Sequence, residues 1–266
     1  MKNEIAKDRK SEALEFIRFH FDKLSQREIA RRLFIGKTTV NRWSKEVGLF
    51  FKKHTANEHY FDTLTEQSAY ILGFIFADGN VAYDPENGYY SMTITASEKD
   101  AAHLEKMRKL LSSTKPLLYS PSTKSNRLIV NSKKLCQKLI AYGVVPRKSL
   151  IVEFPIIPKE YVNHFLRGII DGDGNVRFVK RKRSPYFEIT IASGSLTFCQ
   201  GIVSTIEEHI GITTRIRKAG QHTHILQYSC SRGEKLANFI YSDATLFLKR
   251  KHIHFLDKTN WRQEHG

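Results

Sequence analysis

The sequence predicts an α+β protein made of two similar halves behind a small all-helical segment, and three observations carry that prediction. Helical periodicity runs unbroken through the first 50 or so residues, after which helical runs alternate with short β-patterned segments. The second region then repeats itself at a near-constant offset, which marks two copies of one supersecondary unit. Finally, 266 residues with 41% hydrophobic content leave ample chain to bury a core. The net charge of +16 adds a functional constraint, because such an excess calls for a polyanionic partner, with nucleic acid first.

The first 53 residues hold 14 Lys and Arg against 7 Asp and Glu and have no β-branched alternation. Within them, Leu24–Trp43 reads LSQREIARRLFIGKTTVNRW. Ser25 followed three residues later by Glu28 is a capping box, so a helix starts there, burying Ile29, Ala30 and Leu33. Gly36 breaks it, and a second helix over Lys37–Glu46 buries Val40 and Trp43. Lys37, Thr38, Thr39, Asn41 and Arg42 are then exposed, with donors and acceptors suited to base edges and phosphates in a major groove. The pattern resembles the helix-turn-helix of resolvases and transposases. Phe34 stands where such a turn usually has Gly, which predicts a differently bent turn.

Next, KKHTANEHYF (Lys52–Phe61) breaks the periodicity. The reading is a DNA-binding domain over 1–53, a linker over 54–62, a first half over 63–157 and a second over 158–266. In the halves, AYILGFIFADGNV (Ala69–Val81) matches FLRGIIDGDGNV (Phe165–Val176), with Asp78 and Asp173 95 residues apart. Each is followed by an alternating strand, ending at Ser97 or Ser193, and by a helical run, Glu98–Leu111 or Leu196–His209. Two short strands come next: Leu117–Ser120 with Leu128–Asn131, and Thr213–Lys218 with Ile225–Ser229. Each half then closes with a helix, Lys133–Tyr142 or Gly233–Ser242, and a basic dipeptide, Arg147-Lys148 or Arg250-Lys251.

The two matched motifs share a mechanical logic. Each is an apolar helix carrying a small residue, Gly73 or Gly168, where another helix can approach closely. Each ends at Gly79 or Gly174, read as a left-handed cap, with Asp78 or Asp173 at that end. Side-by-side packing would bring both carboxylates to the floor of one groove, where bare helix-end carbonyls add to the negative potential. Two such carboxylates repel unless a cation lies between them, and an all-oxygen site favours Mg²⁺.

With both motifs in view, the sequence resembles the LAGLIDADG homing endonucleases in their monomeric two-motif form, over roughly residues 60–260. The resemblance implies two saddle-shaped antiparallel sheets along the major groove of double-stranded DNA, on a long asymmetric target site. It implies that the motif helices form the interface between halves and that Asp78 and Asp173 hold divalent metal, one for each strand. Ala77 and Gly172 would supply backbone carbonyls to the metal, and Lys148 and Lys251 would be the basic helpers near it. Asp171 reads as structural, since its counterpart is Phe76. In the second half, VRFVKRKR (Val176–Arg183) leads to a basic hairpin tip, so Arg177, Lys180, Arg181, Lys182 and Arg183 are expected to follow a DNA backbone.

Other classes fit less well. No apolar run reaches the roughly 20 residues of a membrane span. The charged N-terminus has no apolar stretch behind it, so an intracellular and not a secreted protein is expected. Three separated cysteines make no disulfide framework. Asp171–Lys182 fails as a calcium loop, because its twelfth residue is Lys instead of Glu. Two rivals share the fold: a DNA-binding regulator that has lost cleavage, and an RNA-splicing maturase acting on structured RNA. Retention of both Asp78 and Asp173 disfavours the first, since a pure binder has no need for two buried like charges.

Overall fold

The structure is a computed structural model describing residues 2–51, 54–146, 148–180 and 185–265, with side chains described between 9 and 257. Arg147, Arg181, Lys182 and Arg183 therefore lie outside the described residues. The chain forms two compact units, Met1–His54 and Thr55–Gly266.

The first unit is three helices, α1 (Lys2–His20), α2 (Gln26–Arg32) and α3 (Lys37–Glu46), around Ile17, Ile29, Ala30 and Val40. Ser25 caps α2 by accepting from the Glu28 amide. The Glu28 carboxylate does not return the bond; it pairs instead with Arg31 and Arg32. The helix stops at Arg32 and not at Gly36, which caps the start of α3. Phe34 has φ 52°, so it takes the left-handed backbone that glycine favours and keeps a sharp turn. Ser44, not Trp43, joins Val40 as a buried residue of α3; Trp43 is half-buried against the cluster.

The second unit holds two four-stranded antiparallel sheets with the same connectivity. In the first half, α4 (Glu66–Asp78) leads into β1 (Gly79–Asp84) and β2 (Tyr89–Ser97). Helix α5 (Ala101–Leu110), strands β3 (Leu118–Ser120) and β4 (Ser125–Val130), and α6 (Lys133–Ala141) follow, with sheet order β1-β2-β4-β3. The second half repeats this as α7 (Val162–Asp173), β5 (Gly174–Val179), β6 (Tyr186–Ser193), α8 (Leu196–Ile210), β7 (Arg217–Lys218), β8 (His224–Ser229) and α9 (Cys230–Tyr241), in order β5-β6-β8-β7. A further helix, α10 (Lys249–His265), closes the chain.

The two halves share one continuous core, centred on α4 and α7. Helix α4 starts with a reciprocal capping box: Ser68 N donates to Thr65 Oγ1, and Thr65 N to Ser68 Oγ. A methyl group on Gly73 would sit 2.0 Å from the Phe165 carbonyl oxygen, and one on Gly168 2.1 Å from that of Tyr70. The helices therefore cross backbone against backbone, a spacing only glycine permits.

Two expectations about the second unit also need correction. Gly79 (φ −88°) and Gly174 (φ −79°) are extended, not left-handed, so each helix passes straight into a strand. Glycine is required there for space: a methyl on Gly79 would meet the Ile75 carbonyl oxygen at 2.6 Å, and one on Gly174 that of Ile170 at 2.5 Å. Nor do residues 55–61 act as a free linker. Asn57 N donates to Leu111 O, Thr114 N to Thr55 O, and Phe61 is buried in the core.

Candidate active site

The crossing of α4 and α7 decides where their C-terminal carboxylates go. At that end the helices still touch: a methyl on Gly172 would lie 2.4 Å from Ala77 Cβ and 3.4 Å from Asp78 Oδ2. Asp78 and Asp173, the last residues of their helices, are exposed there, each one residue before the first strand of its sheet. The pair expected to be buried is therefore open to solvent on one side, but crowding of the Asp78 carboxyl by the packed helix ends still strips part of its water, and this with the charge of Asp173 pushes Asp78 up to about 6. Asp173 is raised too, by desolvation, while Lys148 and Lys251 oppose the rise.

Behind the carboxylates lie two buried lysines, one for each half. Lys148, in a 3₁₀ turn after α6, donates from Nζ to Gly79 O at 2.7 Å and Ala77 O at 3.3 Å. Lys251, in the first turn of α10, donates to Ile170 O, Asp171 O and Gly172 O at 2.8, 2.7 and 3.0 Å. Each lysine thus neutralises the negative end of its own motif helix. Burial holds Lys251 down at about 8 and lowers Lys148 as well. The Ala77 and Gly172 carbonyls, which the resemblance offers to metal, each accept a lysine hydrogen bond here, and a carbonyl oxygen has two lone pairs.

Asp171 is fully buried and points away from this groove. Its carboxylate accepts from Tyr70 Oη (2.8 Å), Tyr241 Oη (2.7 Å) and the Leu248 amide (2.7 Å). The last bond fixes the backbone three residues before Lys251. Nearby, the buried guanidinium of Arg167 donates to the Leu246 and Ile240 carbonyls and pins the same segment onto α7. Arg250 reaches back to Asp100 at the start of α5, at 3.1 Å. Sequence reading missed these partners, although charged residues at 167 and 171 within an otherwise apolar helix were a usable signal. Burying them requires dedicated partners.

The remaining sequence candidates lie elsewhere. Arg177 is on β5 and pairs with Glu188, while Lys180 is exposed just past the end of that strand. In the first unit Lys37, Thr38 and Arg42 are exposed, but Thr39 and Asn41 are half-buried. Among the described residues no cluster of three or more His, Cys, Asp or Glu could hold a metal by itself. What the helix ends offer is two carboxylates and the Ala77 and Gly172 carbonyls, an all-oxygen donor set that fits a hard divalent cation completing its shell from outside the protein. No helix among the described residues is long and apolar enough to cross a membrane.

Residues 160–241 match the family model described as a LAGLIDADG-like domain. An uncharacterized protein of Methanocaldococcus jannaschii is 27% identical over 245 residues, covering 88% of this chain and 85% of that protein. Among solved structures, the LAGLIDADG meganuclease I-AabMI bound to uncleaved DNA aligns with a TM-score of 0.50 at 13% identity, over 74% of this chain and 92% of that one. The I-LtrWI LAGLIDADG homing endonuclease bound to target DNA aligns with a TM-score of 0.48 at 13% identity, over 76% and 92%. The two-half α+β architecture with paired four-stranded sheets is the LAGLIDADG fold.

Proposed function

We propose that this LAGLIDADG-like protein is a site-specific DNA endonuclease of the homing type, acting as a monomer and cutting both strands of a long asymmetric site with Mg²⁺. The observation that carries the reading is the paired helix end: two carboxylates, each backed by a buried lysine, at the root of two open sheet faces. A binding protein gains nothing from holding Asp78 protonated up to about pH 6 beside a second acid. Such a pair is useful when a cation and a phosphodiester arrive together.

In this reading Asp78 and Asp173 hold the cation, with the Ala77 and Gly172 carbonyls in reach of it. The cation supplies Lewis acidity for phosphodiester hydrolysis, activating water and stabilising the leaving oxygen. Lys148 and Lys251 keep the helix ends from repelling the incoming phosphate and steady the charge that builds on it. The open sheet faces, starting at Asn80 and Asn175 just beyond the two acids, lie along the DNA. The positively charged first unit adds a second contact, with Lys37, Thr38 and Arg42 of α3 toward the duplex.

Cleavage of a library of duplex sites with Mg²⁺, compared with EDTA, tests the assignment. Double-strand breaks with short 3′ overhangs are expected. Asp78→Asn and Asp173→Asn should each abolish double-strand cutting while binding is kept. Full cutting by the double variant would overturn the assignment.

A further inference from the structure

The open face of the second sheet carries a polar chain that crosses all four strands. At its centre is Glu188 on β6, which is only 4% exposed although it lies on the side turned away from α8 and α9. Arg177 on β5 faces it in register and donates to Oε1 from Nε (2.8 Å) and Nη2. From the other side, Gln227 on β8 donates to Oε2 at 2.5 Å, and Ser229 adds a bond at 3.4 Å. The side-chain oxygen of Gln227, Oε1, in turn accepts from Arg217 on β7.

We propose that this chain is a fixed guanine reader in the half-site under the second sheet. The inference rests on the endonuclease reading, which puts this face against DNA. A carboxylate on a surface meant for a polyanion is unfavourable unless it has a task, and here it orients two arginines. Glu188 occupies the Nε/Nη2 edge of Arg177. Nη1 and the outer hydrogen of Nη2 are left side by side, the end-on pair that matches guanine O6 and N7. Gln227 is held by both its donor and its acceptor, so its amide cannot flip to suit another base, and Arg217 is fixed through it. Immobilising these long side chains before binding removes an entropic cost that free arginines would incur on docking.

The first sheet has no counterpart. Its equivalent register positions are Ala82, Ser91 and Ile129 where the second has Arg177, Glu188 and Gln227. The reader's position also follows from the fold. Arg177 lies three residues along β5 from Gly174, about 10 Å at roughly 3.3 Å per residue. At about 3.4 Å per base pair, the guanine should lie about three base pairs from the scissile phosphate.

The test uses the full chain and a random-sequence duplex pool, selected for binding in EDTA. The parent should select a motif with a guanine that Arg177→Ala no longer prefers, by about tenfold or more. Glu188→Gln should weaken the preference at that same base while affinity for unrelated duplex holds or rises, since it removes negative charge beside phosphates. Merely structural damage would lower both, and matching thermal melts would show that the variants fold. A motif untouched by either substitution, or equal loss of affinity for every sequence, overturns the assignment alone. A pool that emerges with no motif from the folded parent overturns the endonuclease reading and this assignment with it.

Discussion

At the residue scale, the raised acid of Asp78 makes a prediction that needs no DNA. Its carboxyl titrates near 6 in the folded chain against an ordinary 3.8, so the folded state holds that proton more tightly than the unfolded one. The group therefore costs no stability below about pH 4, and its penalty develops as pH rises through 6. Asp78→Asn should raise the melting temperature at pH 8 and leave it unchanged at pH 4. Mg²⁺ should act with the same sign, stabilising the parent at pH 8 more than at pH 5, where the protonated carboxyl is a poor ligand. Melting curves at three pH values check both; equal shifts at every pH would remove the paired-acid account. Lys251 depends on a different neighbour. Asp171 anchors the Leu248 amide, so Asp171→Ala should free the segment that carries Lys251, whereas Asp171→Asn can keep that bond through its remaining oxygen. Hydrogen exchange over 248–252 should accelerate in the alanine variant only, with 148–152 unaffected. Strand-resolved cleavage should slow on the strand that Lys251→Met also slows.

At the element scale, the stability of the second unit hangs on the crossing of α4 and α7. Gly73→Ala or Gly168→Ala drives a methyl into a facing carbonyl oxygen at 2.0 or 2.1 Å, which neither helix backbone can avoid without separating. Overpacking of this kind costs about 3 kcal/mol, and thermal unfolding should fall by roughly 10 °C. An unchanged melt would mean that the helices pass at ordinary distance. This crossing was legible in the sequence, because glycine recurs at the same place in two repeats of an apolar helix and closeness is the shared reason. The role of Gly79 and Gly174 was not. A glycine after a helix can signal a left-handed backbone or merely the absence of a Cβ, and only the position of the Ile75 and Ile170 carbonyls separates the two. The partners of Asp171 were equally hidden, since Tyr70 comes 101 residues earlier and Leu248 77 later, beyond any local pattern. Residues 55–61 looked like a linker for a related reason: they have no periodicity of their own, and long-range bonds to Leu111 and Thr114 order them.

At the scale of the whole molecule, the halves are alike in fold and unlike in surface, and the first unit has no second copy. Positive charge is spread over both units, so affinity for DNA should be strongly salt-dependent, and that dependence can be divided between them. Deleting residues 1–54 should flatten the plot of log K against log salt by about 0.9 for each phosphate that the first unit neutralises. The protected region should shorten at one end only, since a unit present once has no symmetric partner. The cut positions and the cleavage rate at saturating protein should stay as in the parent, because Asp78, Asp173, Lys148 and Lys251 all belong to the unit beginning at Thr55. Arg42→Ala in the full chain should reproduce part of the flattening and relax sequence preference only at the outer end of the site. Footprinting and binding titrations at several salt concentrations read out all of this. A truncated protein with the parent's salt slope and footprint would show that Lys37, Thr38 and Arg42 do not meet DNA.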